Sequence, residues 1–327
     1  MSKLNYLEMS RREKLAIAAK GISIDSPLVV GSCATQIATV DVQAICESYA
    51  NLYNMDVRRF FDGMTSVGVY QCDASRLVFF HPHSTSGDSE FYEQLQQFPW
   101  YYMPWKWEHG IAESYVAEGL DLLEIGCAKG GFLKKLNGTM GKRVGLELNK
   151  AAQRDAIDDG VDVRCESVQS HSVSNVECYD IVCSFQVMEH IYELRSVLNA
   201  SIAALKVGGK LIISVPNNHS FIKDLDNALN MPPHHMCLWE EDSLRSLQNY
   251  YPLKLEMIKF EPIQKYHYAH VIAAAINRNI RYEIFRKVLR RMSTVMRAHI
   301  FFGLFRRHIR GHSILAVYRK VELDRLR

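Results

Sequence analysis

The chain has 327 residues and a formal net charge of +3, with 48% apolar and 23% charged residues, the balance of a globular chain with a full core. It holds no run of 18 uncharged apolar residues, its first residues (Met1-Ser2-Lys3-Leu4-Asn5) lack a signal-peptide apolar stretch, and its eight cysteines include no Cys-x-x-Cys pair. Those features argue against a membrane span, a zinc ribbon and a secreted disulfide framework, and the expected compartment is the reducing cytoplasm. In chain order, a helical pattern at residues 15–20 comes first. Short β-like runs follow at 28–30, 68–70 and 77–82, with a helical pattern over 45–61. Residues 1–98 therefore read as a small N-terminal α+β lobe, and residues 99–327 as the main domain, entered through an aromatic cluster at 98–107.

Next, Leu122, Leu123 and Ile125 form an apolar strand that runs into a turn holding Gly126, Gly130 and Gly131, and a helix pattern starts at Phe132. A parallel strand that turns this sharply into a helix lets a ligand lie on bare backbone at the helix N-terminus. The spacing is Gly-x-x-x-Gly with Glu124 just before it, not the Gly-x-Gly-x-x-Gly of a dinucleotide site. Glu124 would repel a phosphate but suits an ammonium and a sulfonium. A second strand, 142–148, carries an acid, Glu147, 21 residues after Gly126. A third, 161–165, leads to Glu166-Ser167-Val168. A fourth, 179–185, runs into Gln186-Val187-Met188-Glu189-His190-Ile191. The turn at Gly208-Gly209 leads to a fifth, 211–215, ending at Pro216-Asn217, and two more runs lie at 253–260 and 313–318.

These segments, in this order, resemble the class I S-adenosylmethionine (SAM) methyltransferases over about residues 100–320. The resemblance implies an α/β fold: a seven-stranded, Rossmann-like sheet, mostly parallel with an antiparallel last strand, beside the N-terminal lobe. It implies SAM as cofactor. Glu124, Gly126, Cys127 and Gly130 would form the cofactor loop, and Glu147 and Leu148 would hold the ribose, a carboxylate there taking both hydroxyls. Ser167 and Val168 would lie at the adenine, where Glu166 stands one place early for the family's acid. Ser184 and Phe185 would close the end of the fourth strand. Tyr102 is the candidate lid over the cofactor, the alternative being a hydrophobic staple between the two lobes. Ala128 takes the place of the family's middle glycine, and Cys127 reads as a small buried side chain rather than a nucleophile. Residues 69–82 also resemble the second half of a zinc-ribbon module that precedes the methyltransferase domain in many sugar and glycan methyltransferases. Here Ser75 replaces the second cysteine after Cys72 and Cys33 has no near partner, so the lobe reads as ribbon-like without its metal; a divergent site through His81 or His83 is the alternative.

Methyl transfer to a hydroxyl needs a base, and candidates cluster after the fourth and fifth strands: Glu189, His190, His219, His234 and His235. The segment Met231-Pro232-Pro233-His234-His235 resembles the family's Pro-x-His-His loop. His235 leads as base, with His234 and Glu189 next. By analogy with enzymes that share this loop and lobe, the acceptor is a saccharide or glycan intermediate. The runner-up is metal- or base-assisted O-methylation of a small aromatic or quinone, since some quinone O-methyltransferases hold a cation through Glu-x-x-Glu-His; Gln186 occupies the first of those positions, so no metal is expected. A SAM-fold protein that binds without catalysis is the reading of a different class.

A basic helical insertion spans about 265–310. Residues 277–310 carry nine arginines and one lysine against Glu283 alone, a net +9. Ile284, Val288, Met292, Val295 and Met296 recur at helical spacing between the basic residues. Such a helix suits an anionic acceptor, peripheral contact with anionic lipid, or a partner, and equally a solvated cover for the sheet edge. Nucleic acid is not expected, since the basic residues are confined to this insertion.

Overall fold

The computed structural model describes residues 22–136, 141–225, 227–264 and 310–322, with His267, Tyr268, His270, Val271 and Met296 besides. Most of the basic insertion lies outside the described residues, as does the helical pattern at 15–20. In the N-terminal part, β1 (Ser23–Asp25), β2 (Cys33–Asp41), β3 (Ser66–Cys72) and β4 (Val78–His81) form an antiparallel sheet. Helix α1 (Val42–Tyr53) follows β2 directly; Asp41 caps it by accepting from Ala44 N at 2.8 Å, and Asn54 ends it in the left-handed region at φ 54°. That stop explains why the helical pattern expected over 45–61 breaks in two, its end forming a short 3-10 turn at Arg58–Phe61. The apolar run 28–30 is not a strand. Ser26 Oγ accepts from Leu28 N and Val29 N at 3.2 and 3.1 Å, so the segment turns and plugs Leu28 and Val29 into the core.

Helices α2 (Ser89–Leu95) and α3 (Trp107–Glu113) lead to the main sheet. Its elements are β5 (Leu122–Ile125), α4 (Gly131–Lys135), β6 (Arg143–Leu146), α5 (Lys150–Asp158), β7 (Val163–Arg164), α6 (Val168–Ser174), β8 (Tyr179–Phe185), α7 (Leu194–Ala204) and β9 (Leu205–Pro216). After β10 (Cys237–Leu238) and α8 (Glu241–Tyr250) come β11 (Leu253–Phe260) and β12 (Ser313–Lys320). The order is β11-β12-β9-β8-β5-β6-β7, seven strands. All pairings are parallel except those of β12, which runs antiparallel to both β9 and β11. Strands β5 and β8 are buried along almost their whole length, as strands covered on both faces must be.

The two sheets share a core. Strand β10, which begins 21 residues after β9 ends, pairs with β4 (Cys237 opposite Phe79) and completes the N-terminal sheet. One hydrophobic cluster runs from Leu28, Tyr49 and Phe80 through Met236 and Trp239 to Leu123, Val182 and Ile213. No described helix is long and apolar enough to cross a membrane.

Candidate active site

The carboxyl ends of β5, β6 and β8 open into two adjoining clefts, of about 560 and 320 Å³, that share Tyr102, Gly126 and Ala128. The larger is lined by Tyr102, Gly126, Glu147, Leu148, Ser167, Val168, Gln186 and His190 among others; the smaller by Lys106, Glu124, Cys127, Lys129 and Phe185. The glycine loop needs its first glycine. Gly126 sits at φ +69°, and a Cβ there would come within 2.4 Å of the Val187 Cγ2 atom. Ala128 adopts φ 48°, a strained conformation for a residue with a side chain, and Gln186 adopts φ 57°.

Glu147 holds this loop. Its Oε2 accepts from Ala128 N at 2.9 Å and its Oε1 from Asn149 N at 2.8 Å, and each oxygen keeps a further lone pair. Burial raises its pKa while those backbone donors pull it down. Glu124 is buried more deeply, and its Oε2 has no hydrogen-bond partner. Burial pushes its carboxyl up to about 8 against the pull of the Lys106 ammonium. Cys127 is also buried and its thiol is pushed up by desolvation, the behaviour of an inert side chain.

Beyond β7, Ser167 caps α6, its Oγ accepting from Ser170 N at 3.2 Å, while Glu166 is tied to His171 Nδ1 at 2.7 Å. Leu148 is 64% exposed, an apolar side chain on the rim of the cleft that a flat ring can cover. Tyr102 lines both clefts and stands against Tyr101 with ring centroids 5.0 Å apart. Phe185 lines the smaller cleft, but Ser184 lines neither: it is wholly buried within β8, opposite Ile125 and Ile213. Alternation along the strand turns its side chain away from the strand-end cleft.

Three of the candidate bases gather on one side. The rings of His190 and His234 lie 4.5 Å apart, and those of His234 and His235 also 4.5 Å. Their roles differ. His234 Nδ1–H donates to Leu229 O at 2.9 Å and Nε2 takes the Tyr101 hydroxyl at 3.0 Å, so both ring nitrogens are occupied. His235 Nδ1–H donates to Asn230 Oδ1 at 3.1 Å, and the ring is buried behind the cleft rather than lining it. His190 lines the cleft, and its Nδ1–H donates to His234 O at 2.7 Å, which leaves Nε2 as the nitrogen with a lone pair. Burial lowers its pKa to about 4. Glu189 lies beside it, Oε1 3.9 Å from His190 Nε2, fully buried and pushed up to about 8 by desolvation. His219 stands on the loop after β9 and lines neither cleft.

Residue patterns alone do not single out Lys106, and they read Gln186 only as an amide in place of a carboxylate. Lys106 lines the smaller cleft, and its charge acts on Glu124, Glu189 and His190. Gln186 Nε2 bridges Glu108 Oε1 and Ser214 Oγ, each at 3.1 Å, at the end of β8.

Residues 100–254 match the methyltransferase domain family. That stretch is just under half of the chain. It is 29% identical over 118 residues to the ubiquinone biosynthesis O-methyltransferase of Salmonella arizonae, covering 32% of this chain and 48% of that protein. The protein of the same name from Salmonella newport is 29% identical over 108 residues, 31% of this chain and 44% of that one. The match thus spans about half the length of these curated relatives. Among solved structures, the YcgJ protein from Bacillus subtilis superimposes with a TM-score of 0.45 at 14% identity, covering 66% of this chain and 98% of that one. A SAM-dependent methyltransferase from Archaeoglobus fulgidus gives 0.43 at 16% identity, covering 72% and 95%.

The residues at these clefts fit SAM. The unpartnered, buried Glu124 Oε2 suits its ammonium, the Gly126 turn leaves bare backbone where a Cβ would intrude, and Glu147 offers a half-buried carboxylate whose remaining lone pairs suit ribose hydroxyls.

Proposed function

We propose that the chain transfers a methyl group from SAM to an oxygen of a small-molecule acceptor, with His190 as the general base. The observation that carries this reading is the state of the His190 ring at the cleft: neutral, with Nδ1 committed to a carbonyl and Nε2 left to take a proton. When bound, SAM supplies a methyl carbon made electrophilic by its sulfonium. The chain's part is to bind, orient and deprotonate. Glu124, Lys106 and the Gly126 turn hold the amino-acid end, Glu147 the ribose, and Ser167, Val168 and Leu148 the adenine. Tyr102, between the two clefts, covers the junction and excludes water. His190 Nε2 accepts the acceptor's hydroxyl proton, and the His234 carbonyl on Nδ1–H stabilises the imidazolium that results. His235, the base suggested by the loop motif, stands next in line behind it.

Similarity to ubiquinone biosynthesis O-methyltransferases over a third of the chain favours a small hydroxylated acceptor. A saccharide or glycan intermediate is the second reading. The loop that carries His234 and His235 favours it, since that loop is clamped by the N-terminal part through Tyr49 Oη to Met231 O (3.2 Å), Gly87 N to Pro233 O (2.8 Å) and Tyr92 Oη to His234 O (3.3 Å). An anionic acceptor or lipid surface on the basic segment 277–310, and a place in the cytoplasm, belong to the same proposal.

The test is release of S-adenosylhomocysteine with a panel of catechols and quinols, nucleotide sugars and lipid-linked glycans, using the parent, His190→Ala and His235→Ala. One acceptor class should turn over, and His190→Ala should lower kcat by about two to four orders of magnitude with SAM affinity kept. A parent that binds SAM yet turns over no acceptor would point to a binding protein. A full loss in His235→Ala with an active His190→Ala would return the base to His235.

A further inference from the structure

A second cluster of ligand-bearing side chains lies outside the clefts. Glu261 directly follows β11, His312 directly precedes β12, and His267 comes from the chain just after β11. Their ligand atoms all lie within 4.8 Å of one another. Two of the three positions are fixed by the sheet itself. Glu261 N donates to Ser313 O at 2.8 Å and Ser313 N to Glu261 Oε2 at 3.2 Å, so the carboxylate is bound into the β11–β12 ladder's end. Gly311 makes this approach possible, since a Cβ there would meet the Glu261 carbonyl oxygen at 1.7 Å. Asn217 N donates to His312 O at 2.7 Å, which pins His312 to the end of β9, the edge of the sheet where the clefts open. The His267 and His312 rings stack with centroids 5.1 Å apart.

From this geometry we infer that Glu261, His267 and His312 form a site for a borderline divalent cation such as Zn²⁺, with a coordination position left open. Two imidazoles and one carboxylate are a donor set such ions accept, and three protein ligands leave room for a water or substrate oxygen. Ligands on a tetrahedral Zn²⁺ sit about 3.3 Å apart, so atoms within 4.8 Å of one another draw in by about 1.5 Å at most. His312 Nδ1 lies 3.2 Å from Ser313 Oγ, a hydrogen bond that fixes the ring. Glu261 is only 4% exposed, and a carboxylate held that far from water gains from a cation beside it. The group formed by His190, His234 and His235 meets the same distance criterion but fits less well, because both His234 nitrogens are already occupied.

The site connects to the acceptor side by hydrogen bonds: Asn217 N holds His312 O, the neighbouring Asn218 Oδ1 accepts from Asn230 Nδ2 at 2.8 Å, and Asn230 Oδ1 accepts from His235 Nδ1–H. An oxygen on the open position would therefore lie at the same edge as the histidine loop. That use rests on the oxygen-acceptor reading; cation binding itself does not.

The test uses the full chain after dialysis against a chelator. Zn²⁺ is titrated by calorimetry, and Co²⁺ by its visible absorption, with no acceptor present. One cation per chain should bind the parent, with a Co²⁺ spectrum of nitrogen and oxygen ligands. His312→Ala and Glu261→Gln should weaken it about a hundredfold or more, since even loss of a group behind a ligand costs about ten- to a hundredfold. His235→Ala should bind as the parent does. SAM titration and a thermal melt show which variants are folded, and His267→Gln serves if Glu261→Gln is not. A folded parent with no saturable binding would overturn the site. So would binding that survives in His312→Ala and vanishes in His235→Ala, which would assign the ion to the other histidines.

Discussion

Glu124 is buried and Glu147 half-buried at the mouth of the glycine loop, and their surroundings separate them further. Glu147 is satisfied by backbone N–H groups, and its removal should cost a charge-assisted contact of about 1.5–3 kcal/mol, or about ten- to a hundredfold in affinity. Calorimetry of SAM binding to folded Glu147→Ala checks this; an unchanged Kd would mean that the ribose lies elsewhere. Glu124, pushed up to about 8 by burial, is protonated and neutral at pH 6. Pairing with an ammonium requires the carboxylate, so binding must release a proton below pH 8. Affinity for SAM should then rise with pH by up to about tenfold per unit between pH 6 and 8, and Glu124→Gln should flatten that rise. Calorimetry in buffers of different ionisation enthalpy reads the released proton directly. The unpaired atom that gives this behaviour could not be seen in the residue pattern. Glu124 was legible there as an acid before a glycine, but whether anything satisfies it depends on contacts from Lys106 and the loop around it.

Among the elements, the core strands were legible because burial on both faces writes continuous apolar runs: the fourth strand, expected at 179–185, is β8 (Tyr179–Phe185). Two short pieces were not. The run at 28–30 has the composition of a strand, but Ser26 and Pro27 turn it, and β10 is two residues whose pairing with β4 no local pattern announces. For the same reason the ranking within the histidine cluster was hidden, since which ring nitrogen is spoken for depends on Tyr101, Leu229 and Asn230. That loop is held by an element-scale strap. Tyr101→Phe would leave His234 Nε2 buried and unsatisfied, at a cost of about 1–3 kcal/mol. Thermal melts should fall accordingly and kcat should drop with His190 misplaced, while SAM affinity stays. An unchanged melt would show that the loop does not depend on this bond.

At the scale of the whole molecule, the fold class was readable from the order of five segments, whereas the relation between the two parts was not. A boundary at residue 98 suits the change in pattern, but the hydrophobic core and the β4–β10 pairing run across it. A fragment of residues 99–327 would expose Met236, Cys237 and Trp239 to water, and we expect it to lack a cooperative thermal transition and to bind no SAM. A fragment that melts cooperatively and binds SAM as the full chain does would show two independent domains. The proposal that joins these scales is that this chain methylates oxygen through His190. It is tested most directly by nuclear magnetic resonance of acceptor incubated with SAM carrying a ¹³C-methyl group, with the parent and His190→Ala compared. The expected result is an O-methyl signal with the parent that is lost or slowed by about a hundredfold or more with His190→Ala. Label on nitrogen or carbon, or an equal O-methyl signal from both proteins, would contradict it.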